Sequence, residues 1–290
     1  MQAGFIGLGA LGEPMAHNLA RAGLLRGVWN RTAARASAFA ATTGVTAFAD
    51  PAALAAACDL VFICVSADED VLSVVGQLAG HLRPGAIVID CSTVSAATAR
   101  RAARQLAADG AGFLDCPVSG GVEGARNATL AIMCGGDEAT FERARPALKK
   151  LGRTVVLIGP SGFGQSTKAT NQILCAGAIQ AVGEAIAFAR AEGLPLDKVI
   201  AILGQGAGSS WYFVHRAPFM ARGEFPAGFR VRLHDKDLKI CREMAGRHGV
   251  TLPLVEDTLA AYDQLIAQGH GEEDISAIFR LKGALFEPGD

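Results

Sequence analysis

Gly7-Leu8-Gly9-Ala10-Leu11-Gly12 stands between an apolar run at 3–6 and a helical stretch at 13–22, and its reading decides the fold. Between a strand and a helix, the first glycine of such a trio permits a tight turn. The second lets backbone N–H groups approach a pyrophosphate, and the third lets helix and strand pack closely. The helix N-terminus adds unpaired donors and the positive end of its dipole. A lone trio is often only a turn. At the head of an alternating strand–helix series it predicts a dinucleotide site, with contacts from Gly7, Leu8, Gly9, Ala10, Leu11 and Gly12.

The series is carried by further apolar runs at 25–29, 45–47, 60–65, 86–90, 112–114, 130–134 and 154–158, with helical segments between them. Asp50-Pro51 reads as an N-cap and first helical residue, and Ser95 as the cap of a helix at 96–108. The expected fold is α/β: an N-terminal Rossmann-type doubly wound sheet, mainly parallel and covered on both faces. At Gly159-Pro160-Ser161-Gly162-Phe163-Gly164 the pattern changes. Only helices are expected beyond it, at 165–192, 196–203, 210–221, 233–248, 252–268 and 274–281. The expected division is therefore 1–162, a dinucleotide-binding domain, and 163–290, an all-α C-terminal domain for substrate and dimerisation. Gly177 and Gly183 lower helix propensity within the long helix, which implies close packing there.

Hydrophobic residues make up 50% of the 290-residue chain and charged residues 19%, which is apolar for a monomer. A homo-oligomer, dimer or tetramer, is expected to cover the excess. The net charge is −1 and the basic residues are scattered, so there is no electrostatic footprint for nucleic acid. Neither a basic leader nor an apolar run of membrane-spanning character is read, which predicts a cytoplasmic protein without a membrane partner. The seven cysteines form no Cys-x-x-Cys pair and the six histidines lack ligand spacing, so neither disulfides nor a metal is expected.

Between Arg153 and Glu184 the only ionisable acid or base apart from Cys175 is Lys168. Most lysines are solvated surface charges. Here the neighbours Ala169, Ile173, Leu174, Ala176, Ala178 and Ile179 read as a buried helix, surroundings that disfavour the charged form and suit an amine that exchanges protons near neutrality. Asn171 and Gln172, three and four residues on, share its helix face. In Asp115-Cys116-Pro117-Val118-Ser119-Gly120-Gly121 the Ser-Gly-Gly reads either as a flexible turn or as a nest of amides for a small carboxylate. Val65-Ser66 and Ser92-Thr93 lie at further strand ends, where a dinucleotide would run.

These motifs together resemble the β-hydroxyacid dehydrogenase family, which includes 3-hydroxyisobutyrate dehydrogenase, tartronate semialdehyde reductase and the glyoxylate/succinic semialdehyde reductases. Residues 4–16 resemble its cofactor fingerprint, 115–121 its substrate segment and 164–171 its catalytic segment. Lys236-Asp237-Leu238, and Gly269-His270-Gly271 with Asp274 and Ser276, resemble its C-terminal motifs. The resemblance implies Lys168 as catalytic acid/base, Ser119, Gly120, Gly121 and Asn171 as substrate holders, and Thr93 and Lys236 as cofactor contacts. Cys116 and Gln172 depart from the family pattern, where alanine and a second asparagine are usual, and would bear on substrate choice. An imine reductase-like enzyme and a non-catalytic dinucleotide-binding scaffold or sensor are the alternatives.

An NAD site usually carries an acid at the end of the second strand for the ribose 2′-hydroxyl. This chain reads Trp29-Asn30-Arg31-Thr32 there, with Arg35 one turn on. A guanidinium and a hydroxyl suit a 2′-phosphate, so NADP(H) is expected in preference to NAD(H). The expected reaction is hydride transfer to or from a small carboxylated aldehyde, ketone or hydroxy acid. Trp211, Phe213 and Val122 are the expected pocket walls.

Overall fold

The computed structural model describes residues 1–286; residues 287–290 of the expected helical domain lie outside the described residues. The chain divides into two compact units, Met1–Lys168 and a second beginning at Ala169. The glycine-rich turn had placed the division at 162/163. One continuous helix begins right after that turn and gives its opening residues to the first unit, which moves the boundary to 168/169.

In the first unit β1 (Ala3–Ile6), α1 (Gly12–Arg21), β2 (Leu25–Trp29), α2 (Ala33–Thr43), β3 (Thr46–Ala47), α3 (Pro51–Ala57), β4 (Leu60–Ile63), α4 (Asp68–Leu78), β5 (Ile87–Asp90), α5 (Ala96–Ala107) and β6 (Gly112–Asp115) alternate as expected. They are followed by β7 (Val118–Ser119), α6 (Gly121–Arg126), β8 (Leu130–Gly135), α7 (Glu138–Leu148) and β9 (Gly152–Gly159). The sheet order is β3-β2-β1-β4-β5-β6-β8-β7, with β9 also paired to β8. The pairs from β3 through β6 are parallel, as is β8–β9, whereas β8 runs antiparallel to β6 and β7. The short return through α6 allows that reversal, because antiparallel neighbours need no long crossover. Two-residue β7, set behind Pro117, was too short to read from periodicity.

Both faces of β1, β4 and β5 are buried, while β3 and β9 are largely exposed, and alternation along the strands decides which residue goes where. Phe5, Phe62, Ile89 and Leu114 pack on one side, and Ile6, Val61, Ile63 and Val88 on the other. Side chains as large as Phe5 and Phe62 are wholly removed from solvent, which stabilises by about 1.5–3 kcal/mol each. Asp50 and Ser95 cap α3 and α5 through bonds to the Ala53 and Thr98 amides.

The second unit is built from the rest of α8 (Phe163–Ala191) together with α9 (Leu196–Leu203), α10 (Trp211–Arg222), α11 (Val231–Gly246), α12 (Pro253–Ala267), a 3₁₀ turn (Ile275–Ile278) and α13 (Phe279–Ala284). Among the described residues it has no strand, only an isolated bridge between Arg230 and Asp274. Ala176, Ile179, Val182 and Ile186 of α8 pack on Leu238, Val255, Leu259 and Tyr262. A Cβ on Gly183 would sit 3.3 Å from Ile278, in line with the close packing expected there. By length and composition the 29-residue α8 reaches what a membrane span needs, which corrects the sequence reading; 56% of its most apolar stretch is buried inside the protein.

Candidate active site

The strand order reverses between β1 and β4, and the glycine turn leaves the carboxyl end of β1 at this switch point, where open α/β sheets bind ligands. Gly7 has φ +97°, and a Cβ there would fall on the Cys64 carbonyl oxygen just beyond β4. A Cβ on Gly12 would strike the Gly7 carbonyl oxygen. Gly9 differs from both, since nothing in the protein lies within 4 Å of where its Cβ would be. The fold itself therefore requires the first and third glycines, while the second leaves open space beside the backbone. No side chain caps the N-terminus of α1; in its first turn the Glu13 N–H donates to the Gly9 carbonyl at 3.0 Å and Pro14 has no N–H, so what the helix start offers an anion is chiefly the positive end of its dipole. These are features a dinucleotide pyrophosphate would fit.

The predicted ribose end is tied to the same turn. Asn30 accepts from the Leu8 N–H at 2.9 Å and donates to the Thr32 carbonyl at 3.1 Å, while Arg35 donates to the Leu8 carbonyl at 3.3 Å. Thr32 is the N-cap of α2 but its hydroxyl makes no cap bond. Arg31, 83% exposed, pairs with Asp70 at 3.0 Å. Such a surface pair is worth only about 0–1 kcal/mol, so a phosphate could displace it.

The strand ends on the other side are bonded to one another. The Val65 N–H donates to Ser92 Oγ at 2.9 Å, and the Ser92 N–H to Asp90 Oδ1 at 3.0 Å. Ser66 is exposed. Asp90 is fully buried and its Oδ2 has no partner. Burial, reinforced by the nearby Asp115 and Asp68, pushes its carboxyl up to about 7 against two bonds from Ser92. Half-buried Thr93 is bracketed by Gln165, whose Nε2 donates to the Ser92 carbonyl at 2.8 Å and whose Oε1 accepts from the Val94 N–H at 3.2 Å. Gln165 was not singled out by the sequence. An amide at the start of a helix carries no signal of its own.

Asp115, at the end of β6, accepts from the Gly162 and Gln165 N–H groups at 2.7 and 3.0 Å. Burial pushes its carboxyl above the usual range, and these backbone bonds pull it down. A Cβ on Gly135 or Gly164 would collide with Asp115. One turn after Gln165 comes Lys168, only 7% exposed, so it is no surface lysine. Ser119 is half-buried at the end of β7, and Gly120 (φ +130°) and Gly121 (φ +64°) open α6 in left-handed conformations that favour glycine. Cys116 is buried in the core beside Cys134, and burial pushes its thiol up.

Within the second unit Asn171 donates to Gln172 Oε1 at 2.8 Å, and Gln172 donates to Asp237 Oδ2 at 2.7 Å. Lys236 Nζ lies 3.0 Å from the other Asp237 oxygen. Phe213 is a core residue at 4% exposure, which corrects its expected place in a pocket wall, whereas Trp211 is 50% exposed and Val122 half-buried. Phe213 belongs inside because α10 turns its third residue inward, behind the Ser210 cap.

Residues 2–159 match the family model described as the NAD binding domain of 6-phosphogluconate dehydrogenase. Residues 162–282 match the one described as the NAD-binding domain of NADP-dependent 3-hydroxyisobutyrate dehydrogenase. The chain is 36% identical to 2-hydroxy-3-oxopropionate reductase of Escherichia coli (strain K12), over 96% of both chains. It is 33% identical to NAD-dependent L-serine dehydrogenase of Pseudomonas aeruginosa, over 97% of both. The solved structure of Mycobacterium tuberculosis 3-hydroxyisobutyrate dehydrogenase with L-serine superposes with a TM-score of 0.87 at 32% identity, covering 97% of this chain and 99% of that one. With the glycine turn at the switch point and the helical second unit in place, the chain belongs to the 3-hydroxyisobutyrate dehydrogenase family of oxidoreductases.

Proposed function

We propose that the chain transfers a hydride between NADP(H) and the carbonyl carbon of a short carboxylated aldehyde or ketone, or runs the reverse oxidation of a hydroxy acid, with Lys168 as general acid/base. The burial of Lys168, on a helix whose start is held by Asp115 and Gln165, is the observation that carries this reading. A positioned, water-poor amine can give its proton to the oxygen that gains charge as the hydride reaches carbon.

Bound NADPH supplies the hydride. Gly7 through Gly12 would hold its pyrophosphate, Val65, Ser66, Thr93 and Lys236 would be further cofactor contacts, and Asn30, Arg31, Thr32 and Arg35 would receive the 2′-phosphate. Ser119 with the amides of Gly120 and Gly121 fixes the substrate carboxylate, and Asn171 orients the reacting oxygen. The absence of an acid after β2 supports NADP(H) over NAD(H). Tartronate semialdehyde, succinic semialdehyde, glyoxylate and 3-hydroxyisobutyrate, each assayed with both cofactors by nicotinamide absorbance, test the reading. Turnover of at least one with NADPH is expected, and binding of NADPH without turnover of any would leave a scaffold instead.

The oligomer belongs to the same proposal. Leu174, read from sequence as a buried neighbour, is 70% exposed, and Ala181, Ala185 and Phe188 continue an exposed apolar stripe along α8. That spacing suits the helix of a second copy. All seven cysteines are free thiols, which fits a reducing cytoplasm.

A further inference from the structure

Gln172 is 1% exposed and uses both ends of its amide inside the second unit. Its Oε1 accepts from Asn171 Nδ2 at 2.8 Å, and its Nε2 donates to Asp237 Oδ2 at 2.7 Å. Asp237, 5% exposed, turns its other oxygen to Lys236 Nζ at 3.0 Å. The backbone of Gln172 is held as well. Its carbonyl oxygen faces His234 Nε2 at 3.2 Å, and His234 Nδ1 lies 2.9 Å from the Tyr262 hydroxyl, with both rings wholly buried. Four side chains on α8 and α11 thus form one unbroken chain of contacts, Asn171–Gln172–Asp237–Lys236, in which the Gln172–Asp237 bond crosses from one helix to the other.

We propose that Gln172 is a positioning residue that joins the Asn171 amide to the Asp237–Lys236 pair, so that substrate held at Asn171 and cofactor held at Lys236 are coupled through one buried side chain. The inference rests on the roles proposed above for Asn171 and Lys236. Its chemistry is specific to an amide of this length. The donor end keeps the Asp237 carboxylate aimed with one oxygen left for Lys236, and the acceptor end fixes which way the Asn171 amide points. Asparagine, one methylene shorter, cannot reach both partners from the same backbone. Glutamate would set two carboxylates against each other.

NADPH affinity by nucleotide fluorescence, and KM and kcat with whichever of the four compounds above turns over fastest, are to be measured well below the melting point in Gln172→Leu, Gln172→Asn, Gln172→Glu, Asn171→Ala and Lys236→Ala, with the Tm of each recorded beside them. In Gln172→Leu, NADPH Kd and substrate KM should both rise, roughly tenfold or about 1.4 kcal/mol each, with kcat reduced far less. Gln172→Asn should be intermediate. The Gln172→Glu defect should shrink as pH falls, because a proton shared between the two carboxyls restores the donor. The losses in Gln172→Leu and Lys236→Ala should be less than additive for NADPH. Should Gln172→Leu lower Tm alone and leave both constants as they were, the coupling is wrong and Gln172 only packs. A weakened Lys236→Ala beside an unaffected Gln172→Leu sinks the coupling while the cofactor role of Lys236 stands. Wild-type affinity in Lys236→Ala removes that role and the coupling with it.

Discussion

The carboxylate of Asp115 receives the backbone N–H groups of Gly162 and Gln165, so the end of β6 holds the first turn of the helix that carries Lys168. In Asp115→Asn one of those buried donors faces an NH₂ group and loses its acceptor. Unfolding in urea should show a loss of about 1–3 kcal/mol. Turnover should drop more than NADPH binding does, because the glycine turn lies on other strands.

Removing the proposed proton donor should separate chemistry from binding. Lys168→Ala is expected to lower kcat by roughly 10²–10⁴-fold while NADPH still binds. Near-normal kcat would end the acid/base role.

The three glycines of the turn should respond differently. Gly7→Ala and Gly12→Ala set a methyl group on a backbone oxygen and should fold poorly. Gly9→Ala meets no protein atom, so its Tm should stay near wild type. Its NADPH Kd should nonetheless rise roughly tenfold or more, about 1.4 kcal/mol. Unchanged affinity in that variant would show that no pyrophosphate lies against Gly9.

Asp90 makes stability depend on pH in a direction opposite to that of a salt-bridged carboxylate. Its ordinary value is 3.8 and its folded value about 7, so between these the native state binds the proton and the unfolded chain does not. Stability from this group is full below about pH 4 and is lost as pH rises through 7. Between pH 5 and 8 wild type should lose about 2–3 kcal/mol relative to Asp90→Asn, measured by denaturation at both values. Parallel curves for the two proteins would place the proton elsewhere.

Cofactor choice should hinge on the basic residues after β2. Arg31→Ala should reduce the NADPH/NADH ratio of kcat/KM by about tenfold, by weakening one charge-assisted contact, and leave the NADH value unchanged. A wild-type enzyme that clearly favours NADH would overturn the assignment.

The parallel strands and their helices could be read in the sequence because buried strands between amphipathic helices leave a periodic trace, and the glycine trio marks where they begin. Lys168 was visible for a different reason: a lone charge in thirty apolar and neutral positions is a local signal. Gln165 and Asp237 were not recognised as holding Thr93 and Lys236, since their work is done through partners distant in sequence. Phe213 was misplaced because an aromatic near a helix start looks the same facing in or out. The length of α8 was legible at 165–192, but its span-like hydropathy was missed, because glycines and polar amides interrupt the apolar residues such as Leu174 and Phe188.

Gly135, Gly164 and Asp115 meet with no room for a single methyl group. For anyone reshaping the specificity of this protein, that corner is frozen ground: libraries built there would return misfolded chains, whereas half-open Trp211 and Val122 can be varied without disturbing the turn that precedes buried Lys168.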